Sequence, residues 1–294
     1  MDVLYGTGVA LVTPFTKSGT IDYEGLERLL IYTARGADYY VVMGTTGESA
    51  TLTGEEKKNV LEFVKKHNPR KLPLVYGLGG NNTAQVVKEI EQANLKGVEA
   101  LLSVSPYYNK PSQEGIYQHF KAVAYASPRP LILYNVPGRT SANITAETTL
   151  RLSLMKNIHG IKEASGNMEQ CMRIAHAMPS GFLLISGDDL LTTALYAMGG
   201  SGVISVLANA FPLVFKQMKQ AIEKGNFKKA AAAQFDLLDI NGLMYEEGNP
   251  VGIKQVLARL SVCQNYTRLP MVPASPNLQR RIDVAMQGLL KKKG

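Results

Sequence analysis

The amino-acid sequence predicts an α/β protein, a (β/α)8 TIM barrel with a C-terminal helical extension. Its 294 residues lie within the usual size range of such barrels. Short apolar runs and longer helical patterns alternate along the chain until eight candidate strands have passed. This alternation predicts parallel strands joined by helices, and eight repeats favour closure of the sheet into a barrel.

Each candidate strand is short and continuously apolar, as is typical of strands buried on both faces of a parallel sheet. The eight runs cover residues 8–12, 39–43, 72–76, 100–104, 131–134, 158–162, 182–185 and 202–206. An open, doubly wound sheet is the competing fold, and it would place a glycine-rich phosphate turn after the first strand. The chain has Val12-Thr13-Pro14-Phe15 there instead.

Apolar residues recur at three- and four-residue steps between the strands and after the last one, which predicts helices. The predicted helices cover residues 23–35, 55–66, 83–96, 113–126, 227–243, 252–260 and 276–291. Because the strand pattern stops near residue 224, we expect a barrel domain over 1–224 that carries the active site. A helical domain is expected over 225–294.

The overall composition is that of an ordinary globular protein, with 45% hydrophobic and 19% charged residues. Its 32 basic and 24 acidic residues give a net charge of +8, but the basic residues are scattered and densest at 291–293. We interpret them as a solvated surface rather than a nucleic-acid or membrane site. A positive field would also favour acidic substrates.

The reactive side chains limit the possible chemistry. Cys171 and Cys263 are the only cysteines and lie far apart in the sequence, so we do not expect a disulfide scaffold. We expect the protein in the reducing cytoplasm. No secretory signal or membrane-spanning run is recognisable. The four histidines show no ligand spacing, and no nucleotide fingerprint occurs, so we expect neither a metal nor a cofactor.

Active sites of (β/α)8 barrels lie at the C-terminal ends of the strands. Three of the predicted strand ends are unusual in composition. They are Gly44-Thr45-Thr46-Gly47-Glu48, Tyr134-Asn135-Val136-Pro137-Gly138-Arg139-Thr140 and Ile161-Lys162-Glu163-Ala164-Ser165-Gly166.

Lys162 is the most informative of these residues, because it stands where a buried strand should continue. Lysine is rarely buried without a partner or a task. Burial disfavours the ammonium form, so a lysine at a barrel mouth can act as a nucleophile. The alternative is a surface lysine paired with Glu163 or Asp188, and position alone does not decide between them.

The neighbouring strand ends supply further candidate groups. Tyr134 ends the strand next to that of Lys162 and can exchange protons there, although many buried tyrosines only bond to the backbone. Arg139 can hold a carboxylate through two hydrogen bonds, although most loop arginines are merely solvated. Thr45 and Thr46 offer hydroxyl groups for a proton relay and for binding a carboxylate.

Together these strand ends resemble the dihydrodipicolinate synthase / N-acetylneuraminate lyase group of class I aldolase-type barrels. The matching motifs are Gly44-Thr45-Thr46-Gly47-Glu48, Tyr134-Asn135-Val136-Pro137 and Gly160-Ile161-Lys162-Glu163, and the likeness runs from Gly8 to Pro270. The synthase branch is favoured by the double threonine, by Arg139 and by Ser105-Pro106-Tyr107-Tyr108-Asn109-Lys110-Pro111.

The resemblance implies that Lys162 forms a Schiff base with pyruvate and that Tyr134 donates and accepts protons. Thr45 and Tyr108 would complete a proton relay. In the family the counterpart of Tyr108 reaches in from a neighbouring subunit, so a dimer is the minimal active unit. A homotetramer built as a dimer of dimers is usual in the family and is what the resemblance implies here.

The resemblance also assigns the substrate-binding groups. Thr46 and the backbone of Ile204 would hold the pyruvate carboxylate, and Gly187 would be a further substrate-binding residue. Arg139 would receive the carboxylate of L-aspartate 4-semialdehyde. A different pyruvate-dependent aldolase of the same group, such as N-acetylneuraminate lyase, is the alternative. A non-catalytic barrel that serves as a binding protein is a more remote alternative.

The sequence departs from the family pattern at a regulatory site. Many bacterial members are inhibited by lysine through two histidines and a glutamate at the dimer interface. The matching positions are Gly54, Lys57 and Gln85. Glycine offers no side chain and Lys57 would repel a cationic ligand, so the sequence predicts weak or absent inhibition by lysine.

Overall fold

The computed structural model describes residues 2–291 and confirms the predicted (β/α)8 TIM barrel. The eight strands follow one another around a closed barrel in sequence order, from β1 to β8. Residues 292–294 lie outside the described residues, and with them most of the basic run at 291–293. None of the helices described is both long and apolar enough to cross a membrane.

All eight predicted strands form, and their ends differ from the prediction by at most two residues. They are β1 Gly6–Ala10, β2 Tyr39–Val42, β3 Leu74–Gly77, β4 Ala100–Val104, β5 Leu131–Asn135, β6 Ile158–Glu163, β7 Leu183–Ser186 and β8 Gly202–Ser205. Nearly every residue in these strands is buried, which explains why the runs are apolar without alternation.

Helices follow each strand and continue after β8. They are α1 Tyr23–Thr33, α2 Gly54–His67, α3 Thr83–Gln92, α4 Gln113–Ala126, α5 Pro137–Thr140, α6 Ala146–Ser153, α7 Met168–Ala177, α8 Thr192–Ala197, α9 Pro212–Glu223, α10 Phe227–Phe235, α11 Leu238–Asn241, α12 Val251–Arg259 and α13 Pro276–Lys291. Short 3-10 turns occur between them, including Thr45–Gly47 after β2.

Many of the helices begin at a side chain that accepts a hydrogen bond from a backbone N–H of the first turn. Such a cap satisfies a donor that the helix itself leaves unpaired. The capping residues are Asp22, Thr53, Asn82, Ser112, Thr145, Asn167 and Asn226. Local sequence chemistry therefore sets where the connecting helices start.

Two predicted helices differ from the structure by more than two residues. The helix predicted over 83–96 ends at Gln92, because Asn94 accepts a hydrogen bond from the backbone N–H of Lys96 and stabilises a turn instead. The helix predicted over 227–243 is divided into α10, α11 and a 3-10 turn. Asp236, Asn241 and Gly242 are poor helix formers and lie at or near the breaks.

The chain divides into two compact units. The first consists of Met1–Gly6 and Pro73–Ile204, and it contains β3 to β7 and most of β8. The second consists of Thr7–Leu72 and Ser205–Gly294, and it contains β2, most of β1 and the helices that follow β8. The expected separation into a barrel over 1–224 and a helical domain over 225–294 stays a prediction.

Candidate active site

Lys162 and Tyr134 lie directly beside each other on neighbouring parallel strands. Tyr134 of β5 is the register partner of Lys162 of β6, and Asn135 is the partner of Glu163. Side chains alternate between the two faces of a strand, so Lys162 and Tyr134 leave the sheet on one face and the next pair on the other. The predicted adjacency of these two strand ends is therefore present.

Lys162 is buried without an anionic partner. Only 6% of the residue is exposed, and its Nζ lies 4.3 Å from the centroid of the Tyr134 ring. Among the described residues, no hydrogen bond or ion pair involves this amine. Glu163 binds neutral amides on the opposite face, and the Asp188 carboxylate accepts from the backbone N–H of Leu190. The alternative of a lysine paired with Glu163 or Asp188 is therefore wrong.

Gly187 follows β7 and packs closely against the side chain of Lys162. A Cβ atom at this position would lie 3.1 Å from Lys162 Cε and 2.5 Å from Ala164 Cβ. The backbone N–H of Gly187 donates to the Glu163 carbonyl at 2.7 Å. Glycine is thus needed here so that the lysine side chain can pass, which is a packing reason for this predicted site residue.

Three further predicted residues belong to the same compact unit. Arg139 lies on α5 and is exposed, and its guanidinium has no partner among the described residues. Tyr108 is 89% exposed and has a φ of 75°. Ile204 is buried in β8. The left-handed backbone conformation of the exposed Tyr108 destabilises the folded protein by about 1–3 kcal/mol.

Thr45 and Thr46 lie in the other compact unit, in the 3-10 turn that follows β2. Thr46 is buried, and its hydroxyl oxygen accepts a hydrogen bond from Asn249 Nδ2 at 3.0 Å. Thr45 is partly exposed, and no partner of its hydroxyl occurs among the described residues. The two threonines thus differ, since one is held in place and the other is available.

The turn that carries the two threonines ends on a buried ion pair that the sequence did not reveal. Glu48 has a φ of 53° and is 5% exposed, and its carboxylate accepts from Nζ of the fully buried Lys254. Lys254 also donates to the Tyr266 carbonyl at 2.8 Å and lies 4.2 Å from the centroid of the Phe15 ring. Burial lowers the pKa of Lys254, and the Glu48 charge opposes that shift.

Arg268 extends this network to the start of α2. Its backbone N–H donates to Glu48 Oε2 at 3.1 Å, and its guanidinium binds the Glu56 carboxylate with a shortest distance of 2.6 Å. It also donates to the Thr51 carbonyl at 3.1 Å. The signal in the sequence was Lys254 itself, a lysine inside the apolar stretch of α12.

Both cysteines are buried, which limits their reactivity. Burial raises the pKa of both Cys171 and Cys263 to about 12, so neither supplies a thiolate near neutral pH. Within residues 2–291 no group of three or more His, Cys, Asp or Glu side chains is arranged to hold a metal ion. Lys162 remains the best candidate nucleophile.

Comparison with known proteins links this arrangement to one family. Residues 4–289 match the model of the dihydrodipicolinate synthetase family. A 4-hydroxy-tetrahydrodipicolinate synthase of Cytophaga hutchinsonii is 49% identical over 286 residues, which cover 97% of this chain and 96% of the relative.

Solved structures show the same similarity. A dihydrodipicolinate synthase of Acinetobacter baumannii, crystallised in complex with pyruvate, superposes with a TM-score of 0.94 at 33% identity and covers 97% of this chain and 99% of its own. One of Cyanidioschyzon merolae with lysine bound has a TM-score of 0.93 at 37% identity, with 98% of each chain covered.

The Glu48–Lys254 pair predicts a specific stability effect. Lys254→Met should lower the free energy of unfolding by about 3–5 kcal/mol, because it leaves a buried carboxylate without its cation. Adding Glu48→Gln should recover part of that loss, since the remaining amide is neutral. Denaturant unfolding of the two variants beside the original protein measures both effects. A Lys254→Met variant as stable as the original protein would contradict the role assigned to the ion pair.

Proposed function

The chain belongs to the dihydrodipicolinate synthetase family, and we propose that it acts as a 4-hydroxy-tetrahydrodipicolinate synthase. It is a Schiff-base-forming lyase of lysine and diaminopimelate biosynthesis that condenses pyruvate with L-aspartate 4-semialdehyde. The observation that best supports this chemistry is the buried amine of Lys162, which lies beside Tyr134 and has no anionic partner in the described chain.

The reaction begins at the Lys162 amine. Its nitrogen attacks the ketone carbon of pyruvate, and loss of water gives a protonated imine. The positive nitrogen makes the methyl protons acidic, because it accepts the electron pair left behind when a proton departs. The resulting enamine carbon attacks the aldehyde and forms the new carbon–carbon bond. The amine of the second substrate then displaces Lys162 and closes the ring.

Tyr134 moves protons during these steps. Its ring lies against the Lys162 amine, and its phenol has no partner among the described residues, so it is available to donate and accept. Thr45 and Tyr108 complete the relay. The high exposure of Tyr108 supports the assignment that it serves a neighbouring subunit rather than its own.

Carboxylate groups of the two substrates need separate partners. Thr46, Gly187 and the Ile204 backbone hold pyruvate. Arg139 receives the carboxylate of L-aspartate 4-semialdehyde, and its exposed guanidinium is available for a charge-assisted contact. These roles follow the family resemblance.

The assembly is a homotetramer, a dimer of dimers in which Tyr108 reaches the adjacent site. We assign the protein to the cytoplasm, on the grounds of its two unpaired cysteines. No cofactor is required, since the imine nitrogen itself accepts the electrons.

Trapping with borohydride tests the covalent step. In the presence of pyruvate, reduction should add the mass of one reduced pyruvate to the peptide that contains Lys162, and activity should be lost. Lys162→Ala should abolish both the adduct and turnover, whereas Lys156→Ala, which removes an exposed lysine just before β6, should change neither. An adduct that persists in the Lys162 variant would refute the assigned nucleophile.

Changes at Arg139 test the second substrate. Arg139→Ala should lower kcat/KM for L-aspartate 4-semialdehyde by about 10- to 100-fold, because a charge-assisted contact is lost. Arg139→Lys should be intermediate, since it keeps the charge without the planar pair of donors. Pyruvate trapping on Lys162 should proceed normally in both variants. Unchanged turnover of the semialdehyde by the alanine variant would show that the carboxylate binds elsewhere.

Regulation by lysine gives a third test. We expect submillimolar lysine to leave the steady-state rate unchanged, because Gly54 has no side chain and Lys57 carries a positive charge. The relative from Cyanidioschyzon merolae, which binds lysine, is a suitable positive control. Inhibition of both proteins at similar concentrations would disprove this expectation.

A further inference from the structure

A buried polar cluster lies on the face of β5 and β6 opposite to Lys162. Its members are Asn135, Asn143, Glu163 and Gln170, which we call the amide cluster. Glu163 is 4% exposed, and its Oε2 accepts from Asn135 Nδ2 at 2.9 Å and from Gln170 Nε2 at 2.8 Å. Its other oxygen accepts from the backbone N–H of Ser165 at 2.7 Å.

The carboxylate of Glu163 is unusual because no cation pairs with it within the described chain. A buried carboxyl group needs hydrogen-bond partners in place of water, and here only neutral donors supply them. Packing alone would be served by an apolar residue at this position. The cluster therefore calls for a role beyond filling the space between β6 and α7.

The amide cluster holds together the two ends of the loop over residues 136–143, which carries Arg139. Asn135, just before the loop, accepts from the Ile144 backbone N–H at 2.9 Å and donates to Asn143 Oδ1 at 2.8 Å. Asn143 in turn donates to Gln170 Oε1 of α7 at 2.8 Å. Both ends of residues 136–143 are thus fixed to the strand pair that holds Tyr134 and Lys162.

We infer that the amide cluster positions Arg139 and thereby sets the affinity for the second substrate, a small aldehyde that bears a carboxylate. This inference rests on the proposed function. The members of the cluster act through the loop and touch no reacting atom, so they are positioning residues. The register that places Glu163 beside Asn135 is the same one that places Lys162 beside Tyr134.

The chemistry of the cluster explains why position 163 carries glutamate. Both carboxylate oxygens accept hydrogen bonds, whereas a glutamine would turn one donor group towards Asn135, Gln170 or the Ser165 N–H. Asn135 cannot rotate its amide to compensate, because its own oxygen holds the Ile144 N–H. Glu163→Gln nearly preserves the shape of the side chain. It should nevertheless weaken the hydrogen bonds that hold the two ends of the loop.

Steady-state kinetics with both substrates tests the inference. Glu163→Gln and Asn143→Ala should each raise KM for L-aspartate 4-semialdehyde about tenfold, as expected for lost hydrogen bonds that orient a binding group. KM for pyruvate and the rate of borohydride trapping on Lys162 should change less than about twofold. Asn143 is only partly buried, so its variant is expected to fold even where the glutamine variant does not.

Asn157→Ala is the matched control, because the side chain of this asparagine, like that of Asn143, takes part in three hydrogen bonds but lies just before the start of β6, at the opposite end of the strand. Its Nδ2 binds the carbonyls of Ala124, Ser127 and Arg129 at 2.9, 2.9 and 3.1 Å. Its removal should lower stability and leave both KM values unchanged. Equal changes for both substrates in the cluster variants, or none, would overturn the inference.

A double variant shows whether the cluster acts through Arg139. In an Arg139→Ala background, Asn143→Ala should add little to KM for the semialdehyde, because the group that it positions is already gone. Fully additive effects would overturn the inference and leave the proposed function intact. An original protein that traps pyruvate but fails to turn over the semialdehyde would overturn both.

Discussion

The structure of the candidate site depends on the register between β5 and β6. Pairing of Tyr134 with Lys162 fixes the phenol beside the amine, and the alternation of side chains then forces Asn135 and Glu163 to the other face. One strand pair thus presents the candidate nucleophile and the candidate proton donor on one face and a hydrogen-bonded polar cluster on the other. A slip of β6 by one residue would move Lys162 to the face of Asn135 and Glu163 to the face of Tyr134.

Two buried lysines in the chain differ in their surroundings. This difference favours a structural role for one of them and a reactive role for the other. Lys254 is fully buried and has a carboxylate, a carbonyl and an aromatic ring as partners, so its charge is compensated and it stabilises the turn that ends at Glu48. Lys162 is nearly as buried, but its amine lies beside the Tyr134 ring and has no hydrogen-bond or ion-pair partner in the described chain. An amine that no hydrogen-bond or ion-pair partner engages keeps its nitrogen available for attack on a ketone.

Much of the fold could be predicted from the sequence, because continuous apolar runs and capping residues are local signals. All eight strands were found in this way, and the strand ends identified Lys162 and Tyr134 before their register was known. The Glu48–Lys254 pair and the amide cluster could not be predicted, since they join residues that are distant in sequence. Glu163 entered the prediction as part of the strand-end motif and as a candidate partner for Lys162, without a role of its own.

The central claim is that the Lys162 amine forms a covalent imine beside the Tyr134 phenol, and a crystal structure of the protein soaked with pyruvate tests it most directly. We predict continuous electron density from Lys162 Nζ to the former ketone carbon, with the Tyr134 hydroxyl within hydrogen-bonding distance of the adduct. Pyruvate bound without a covalent link, or an adduct on a different lysine, would contradict the account.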